Sequence, residues 1–323
     1  MKAAVLGTQG IGLADVEKPA PKAGEVLIRV RASTLNRADL IVASGRPHGA
    51  VGGTGARIGL ECAGEIEAVG QGVTGLKPGD RVMATAAGGI AEYAVTDAGR
   101  VHEIPANNMT FEQAAGFPVA LGTMHNAIVT AGRLRPGESV LIQGASSGVG
   151  LMGMQIAKLR GAGLVMGTST NAARRARLGA FGCDLAIDTT AAEWPAEVRA
   201  ATGGKGVDLI VDMVSAAVAN GNLAAAAVLG RIVNVGRLGG NTGAFDFDLH
   251  ALKRIDYVGV TFRTRTLDEI RQINRLMRAD LWAAVQSGAL GLPVFRTFAL
   301  ADIAAALETM KANEHFGKIA IVM

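Results

Sequence analysis

The stretch Val140-Leu141-Ile142-Gln143-Gly144-Ala145-Ser146-Ser147-Gly148-Val149-Gly150 constrains this chain more than any other. A short apolar run ends in a glycine-rich turn, and Leu151 to Leu159 then reads as a helix. Strand, tight turn and helix in that order open a dinucleotide-binding unit. The helix N-terminus offers unpaired N–H groups and a partial positive charge, both suited to a diphosphate. Glycines at 144, 148 and 150 depart from the G-x-G-x-x-G spacing, so the turn alone also fits a plain strand-to-helix connection.

The next strand strengthens the first reading. An NAD-binding unit places an acidic residue about 20 positions on, where it holds the adenosine ribose hydroxyls. Here the second apolar run, Gly163 to Met166, ends in Gly167-Thr168-Ser169-Thr170-Asn171, and no Asp or Glu lies between Gly150 and Asp184. The hydroxyl-rich turn leads into Arg174, Arg175 and Arg177. A carboxylate would repel a 2′-phosphate, whereas hydroxyls and a guanidinium fork accept one. A solvated basic helix face explains at least one of these arginines but not the missing acid. The residues point to NADPH as cofactor.

Apolar runs at Val140–Gln143, Leu164–Gly167, Leu185–Asp188, Val207–Met213, Arg231–Val235 and Tyr257–Phe262 alternate with helical stretches. They read as parallel strands buried on both faces, so the expected fold class is α/β with a doubly wound parallel sheet over residues 121–262. Before it, short strands at Glu25–Ala32, Glu61–Val69, Asp80–Ala84 and Ile90–Val95 are separated by glycine turns and read as a mostly β domain. Thr110 and Gln113 have capping-box spacing, and a longer helix is expected from about Gly122 to Ala131. After Phe262 come a helix (Leu267–Ser287), an extended segment (Pro293–Phe298), a helix (Ala301–Asn313) and a strand (Lys318–Met323). Such a tail makes no core of its own, so residues 263–323 should pack back onto residues 1–120.

Composition excludes several classes. The net charge is +4 over 323 residues and the basic residues are dispersed, so no nucleic-acid stripe is present. Cys62 and Cys183 match neither a disulfide framework nor a zinc set, which fits a reduced compartment. The N-terminus is too short and glycine-broken for a signal peptide, and no apolar run reaches membrane-spanning length. The expectation is a cytoplasmic protein with no membrane partner.

Several stretches together resemble the medium-chain dehydrogenase/reductase family. They are Leu35-Asn36-Arg37-Ala38-Asp39, Gly59-Leu60-Glu61-Cys62-Ala63-Gly64, Leu76-Lys77-Pro78-Gly79-Asp80-Arg81-Val82, Leu134-Arg135-Pro136-Gly137-Glu138, Gly203-Gly204-Lys205-Gly206-Val207-Asp208 and Ala312-Asn313-Glu314-His315-Phe316-Gly317-Lys318-Ile319. The chain looks most like the zinc-independent quinone oxidoreductase (zeta-crystallin-like) branch. The resemblance implies a GroES-like, mostly β catalytic domain (1–120 and 263–323) and a Rossmann dinucleotide-binding domain (121–262).

The zinc-dependent alcohol dehydrogenases carry a Cys near the position of Asn36 and a His at that of Leu60. Neither residue here is a zinc ligand, and no metal is expected. By resemblance Asn36 sits near the nicotinamide and serves as a positioning residue in catalysis. Thr123 faces the nicotinamide phosphate, and Ser147, Gly148 and Val149 cradle the diphosphate. Thr168, Ser169 and Arg174 hold the 2′-phosphate end. Val235, Gly236, Arg237, Phe262, Arg263 and Lys318 flank the nicotinamide half. A Tyr found in some quinone oxidoreductases is Ile41 here.

The expected activity is hydride transfer from NADPH to a quinone. The alternatives are an enone or 2-alkenal reductase on the same scaffold and a non-enzymatic NADPH- or RNA-binding protein. Dispersed charge argues against the RNA role. His48, in a glycine-rich loop, is a substrate contact or a bystander. His125 is read as an early helix residue that packs or caps, and Arg263 and Arg265 as substrate contacts or solvated groups. The late strand from Asp256 to Phe262 is expected at a sheet edge, where relatives pair as homodimers.

Overall fold

The computed structural model describes residues 1–8, 10–47 and 52–323, so His48 lies outside the described residues. The chain divides into two compact units, Met1–Val119 with Phe262–Met323, and Ala120–Thr261.

The first unit opens with the hairpin β1 (Lys2–Gly7) and β2 (Gly10–Asp15). It continues through β3 (Glu25–Thr34), α1 (Arg37–Ala43), β4 (Glu61–Val69), β5 (Arg81–Thr85), β6 (Tyr93–Asp97) and β7 (Val101–Glu103). In β3, every second residue from Val26 to Val30 faces inward, and Val26, Ile28 and Val30 pack with Ile66, Val82 and Ala94. Then α2 (Phe111–Ala115) starts on a complete capping box. Thr110 Oγ1 accepts from the Gln113 N–H, and Gln113 Oε1 accepts from the Thr110 N–H at 2.9 Å.

The helix expected from Gly122 to Ala131 begins earlier and changes pitch. It runs as α3 (Phe117–His125) and then as a π-helical turn over Asn126–Ala131. His125 is therefore the last residue of α3, buried, and not an early one.

In the second unit come β8 (Ser139–Gln143), α4 (Gly148–Leu159), β9 (Leu164–Thr168), α5 (Ala172–Arg175), β10 (Leu185–Ile187) and α6 (Trp194–Ala201). They are followed by β11 (Val207–Asp212), α7 (Ala219–Ala225), β12 (Ala226–Asn234), α8 (Phe247–Lys253) and β13 (Asp256–Gly259). Six of these strands form an all-parallel sheet in the order β10-β9-β8-β11-β12-β13. The order reverses between β8 and β11, so a crevice is expected there, beyond the strands' carboxyl ends. Leu141, Met166, Ile210 and Ile232 lie fully buried beneath it. Two strand limits differ from expectation. β12 starts at Ala226, with a register irregularity opposite Val207/Leu209, and β13 stops at Gly259. β13 does occupy the sheet edge.

The chain returns to the first unit through α9 (Leu267–Gln286), β14 (Val294–Ala299), α10 (Ile303–Lys311) and β15 (Lys318–Val322). β15 inserts between β14 and β3, which places the chain's last strand inside the β sheet, as the packing-back argument requires. Among the described residues no helix is long and apolar enough to cross a membrane.

Candidate active site

In the second unit the phosphate-cradle candidates are built by a few local bonds. Gly144 follows β8 at φ 70°, a left-handed turn that favours glycine. Its N–H donates to Thr168 Oγ1 at 3.0 Å, and the Ala145 N–H donates to the Thr168 carbonyl at 2.8 Å, so the turn is tied to the end of β9. Ser147 caps α4, its Oγ accepting from the Gly150 N–H at 3.1 Å. A Cβ on Gly150 would lie 2.6 Å from Ala145 Cα, which is why glycine stands there. Gly148 and Val149 occupy the first turn, where helical N–H groups lack intrahelical partners.

At the end of β9, Thr168 and Ser169 are buried, and Ser169 Oγ lies 3.2 Å from Ser146 Oγ. Asn171 caps the short α5 through the Arg174 N–H at 2.9 Å. The arginines divide in role. Arg175 donates to the Ser169 carbonyl at 2.8 Å and pairs with Asp188 at 2.9 Å, so it holds the turn itself. Partial burial lowers the Arg174 pKa from its usual value. Val235 and Gly236 follow β12, their N–H groups donating to the Asp212 carbonyl at 2.8 and 3.1 Å. Thr123 is half-buried on α3.

The first unit carries a second polar cluster. Glu61, fully buried at the start of β4, accepts from four donors. Thr34 Oγ1 (2.6 Å), Asn36 Nδ2 (2.8 Å) and Lys318 Nζ (2.6 Å) converge on Oε1, and the Val119 N–H (2.8 Å) reaches Oε2. Lys318 Nζ also donates to Asn36 Oδ1 at 2.9 Å. Asn36, at the N-cap of α1, donates its own N–H to Asp39 Oδ2 at 2.7 Å, and the Gly59 N–H reaches Asp39 Oδ1 at 3.1 Å. Burial pushes the Asp39 carboxyl up to about 7, against the pull of those two N–H groups. Such burial of charge is tolerable only because each carboxylate is hydrogen-bonded and Glu61 has a counter-ion.

The sequence-predicted residues thus fall into local groups. Asn36 and Lys318 meet directly, and Ser147, Gly148, Val149, Thr168 and Ser169 share the β8–β9 end. Val235, Gly236 and Arg237 follow β12 in the second unit, whereas Phe262 and Arg263 are exposed at the start of the first unit's returning segment. Arg265 pairs with Glu269 at 3.5 Å. Sequence reasoning missed the Glu61–Lys318 pair, Thr34, Asp39 and a buried set formed by Gln143, Asp212 and Asn222. A polar residue closing an apolar strand, as Gln143 and Asp212 do, was the legible signal.

A switch point with a glycine turn in a six-stranded parallel sheet is the scaffold of a dinucleotide-binding unit. The chain belongs to the medium-chain dehydrogenase/reductase family. Residues 22–106 match the alcohol dehydrogenase GroES-like domain and residues 148–279 the zinc-binding dehydrogenase domain. A quinone oxidoreductase of Rattus norvegicus is 31% identical over 269 residues, covering 83% of this chain and 80% of the rat protein. A mycobacterial protein solved in complex with NADPH superposes with TM-score 0.89 at 27% identity, covering both chains fully. The CurK enoyl reductase superposes with TM-score 0.86 at 25% identity, covering 100% of this chain and 99% of that one. The chain also matches a mycocerosic acid synthase-like polyketide synthase of Mycobacterium tuberculosis, 30% identical over 96% of this chain but spanning only 15% of that relative's length. The fold is accordingly a GroES-like β domain plus a Rossmann-type sheet, the architecture of this family.

A zinc ion does not fit the residues around Glu61. The Thr34 hydroxyl, the Asn36 amide and the Lys318 ammonium surround the Glu61 carboxylate, and the ammonium 2.6 Å away takes the place a cation would need. A dinucleotide does fit, since a Cβ-free turn, a capped helix start and buried hydroxyls offer N–H and O–H groups at one end of the sheet.

Proposed function

We propose that this protein is an NADPH-dependent reductase of electron-poor acceptors, with quinones as the leading class. Ser147, Gly148 and Val149 hold the diphosphate. Thr168, Ser169 and Arg174 hold the 2′-phosphate. Thr123, Val235, Gly236, Arg237, Phe262, Arg263, Asn36 and Lys318 serve the nicotinamide half. NADPH, when bound, supplies a hydride from its nicotinamide C4.

The observation that carries the reading is the Lys318–Glu61–Asn36 cluster. An ammonium has three N–H donors, and among the described residues Lys318 spends one on Glu61 and one on Asn36. The third is available to an acceptor oxygen on which negative charge develops, and the bonds to Glu61 and Asn36 hold the side chain in place. A quinone oxygen needs no stronger electrophile than such a donor, and the proton completing the hydroquinone comes from water or a nearby hydroxyl.

Likeness to the CurK enoyl reductase supports a second reading, in which the hydride goes to the carbon β to a carbonyl and the same donor steadies the enolate oxygen. We extend the proposal to a homodimer joined at the edge strand β13, where Tyr257 is exposed.

NADPH oxidation with 1,4-benzoquinone, 9,10-phenanthrenequinone and a series of 2-alkenals tests the reading. Turnover of the quinones above the alkenals supports it, and the reverse order selects the enoyl reading. Inactivity with every acceptor would leave a non-enzymatic NADPH- or RNA-binding role.

A further inference from the structure

One continuous set of buried hydrogen bonds crosses the carboxyl ends of four neighbouring strands of the parallel sheet. It starts where the Gly144 N–H meets Thr168 Oγ1 at 3.0 Å, and Thr168 Oγ1 donates to Gln143 Oε1 at 2.8 Å. Gln143 Nε2 donates to Asn222 Oδ1 at 2.7 Å, and Asn222 Nδ2 donates to Asp212 Oδ2 at 2.9 Å. Asp212 Oδ1 accepts the N–H groups of Val214 and Ser215 at 2.7 and 2.9 Å. Ser215 Oγ donates to the Gly236 carbonyl at 2.6 Å and accepts from Asn234 Nδ2 at 2.5 Å. Gln143, Asp212 and Asn222 are fully buried, and Thr168 and Ser215 nearly so.

The polarity of this set is determined from one end. An ionised carboxylate only accepts, so Asp212 fixes which end of the Asn222 amide faces it. Asn222 in turn fixes Gln143, and Gln143 obliges the Thr168 hydroxyl to donate to it and to accept from Gly144. No member can flip without leaving a buried donor or acceptor unmet. At the other end Ser215 has φ 68° and ψ −117°, a conformation that favours glycine and strains any residue with a Cβ. A serine is retained there, and its hydroxyl bonds the carbonyl of Gly236.

We propose that Gln143, Asn222, Asp212 and Ser215 are positioning residues. They lock the turn at 235–237 in register with the turns at 144–150 and 168–171, so that the two halves of one dinucleotide meet a single rigid template. The inference rests on the NADPH reading above. It assigns the four residues no contact with cofactor; they set the Gly236 turn against the Gly144 and Thr168 turns, which stay tied to each other by their own bonds.

Calorimetric titration of the full chain with NADPH and with adenosine 2′,5′-bisphosphate, which occupies the adenine half alone, tests this. In Asn222→Leu, NADPH should bind about tenfold more weakly while the bisphosphate stays within about twofold of wild type. Ser215→Gly relieves backbone strain, so its thermal midpoint should hold or rise. NADPH should nonetheless weaken about fivefold with the bisphosphate unchanged, a split that simple destabilisation does not produce. If Asn222→Leu does not fold, Ser215→Gly decides alone. Equal weakening of both ligands, or undiminished NADPH binding in the variants, would overturn the inference. Wild-type protein that takes up neither ligand would instead overturn the NADPH reading itself.

Discussion

Replacing Lys318 with Met keeps most of the stem volume and removes the ammonium from the Glu61 carboxylate. Glu61 is fully buried and Lys318 is 5% exposed at its side chain, so little water can take the ammonium's place. Thr34, Asn36 and the Val119 N–H still donate to Glu61, but the counter-ion and two hydrogen bonds are gone. Breaking one partner of a buried pair costs about 3–5 kcal/mol, chiefly through the orphaned charge.

Trp282 lies in the first unit and Trp194 in the second. In a Trp194→Phe background, urea unfolding followed by tryptophan fluorescence thus reports on the unit that holds the pair. The double variant Lys318→Met/Glu61→Gln removes the orphaned charge and should recover at least about half of the loss. A single-variant cost below about 1 kcal/mol would refute the account of a tightly coupled buried pair.

Arg174→Glu should weaken NADPH far more than NADH, because only the former presents a 2′-phosphate to the new carboxylate, and equal losses in a competition titration would remove Arg174 from the site. His102 is buried, stacked against Trp282 with centroids 5.2 Å apart, and bonded through Nε2 to Asn274 Oδ1 at 3.1 Å; burial lowers its pKa to about 4. Its unfolded value is near 6.5, so the unfolded chain binds the extra proton and stability should fall by roughly 3 kcal/mol as pH drops from 6.5 to 4. His102→Phe should flatten that part of the pH–stability curve, measured by urea unfolding at stepped pH.

Local chemistry was the legible part of this chain. The glycine turn, the Thr110 capping box and the parallel-strand runs each depend on neighbours in sequence, and each stands in the fold where its pattern places it. The turn of π-helix at Asn126–Ala131 and the early start of β12 were not legible. A π turn differs from an α turn by a single residue per hydrogen-bonded ring, and the start of β12 includes Leu229 at positive φ, which no propensity favours. At the candidate site the glycine turn was legible from spacing, whereas the individual cradle residues came from the family resemblance. The pairing of Glu61 with Lys318 was not legible, because the two are 257 positions apart and meet only through the register of a sheet. The arginines illustrate the same limit: three adjacent guanidinium groups look equivalent in sequence, yet Asp188 engages Arg175.

The insertion of β15 between β14 and β3 has a bearing on how the molecule comes into being. Residues 120–261 form one uninterrupted stretch whose sheet can close on itself as soon as it leaves the ribosome. The unit that precedes it must wait, with a gap in its sheet beside β3 and an unneutralised carboxylate at Glu61, until the strand bearing Lys318 has been synthesised. The order of translation therefore runs parallel-sheet unit first and acidic pocket last.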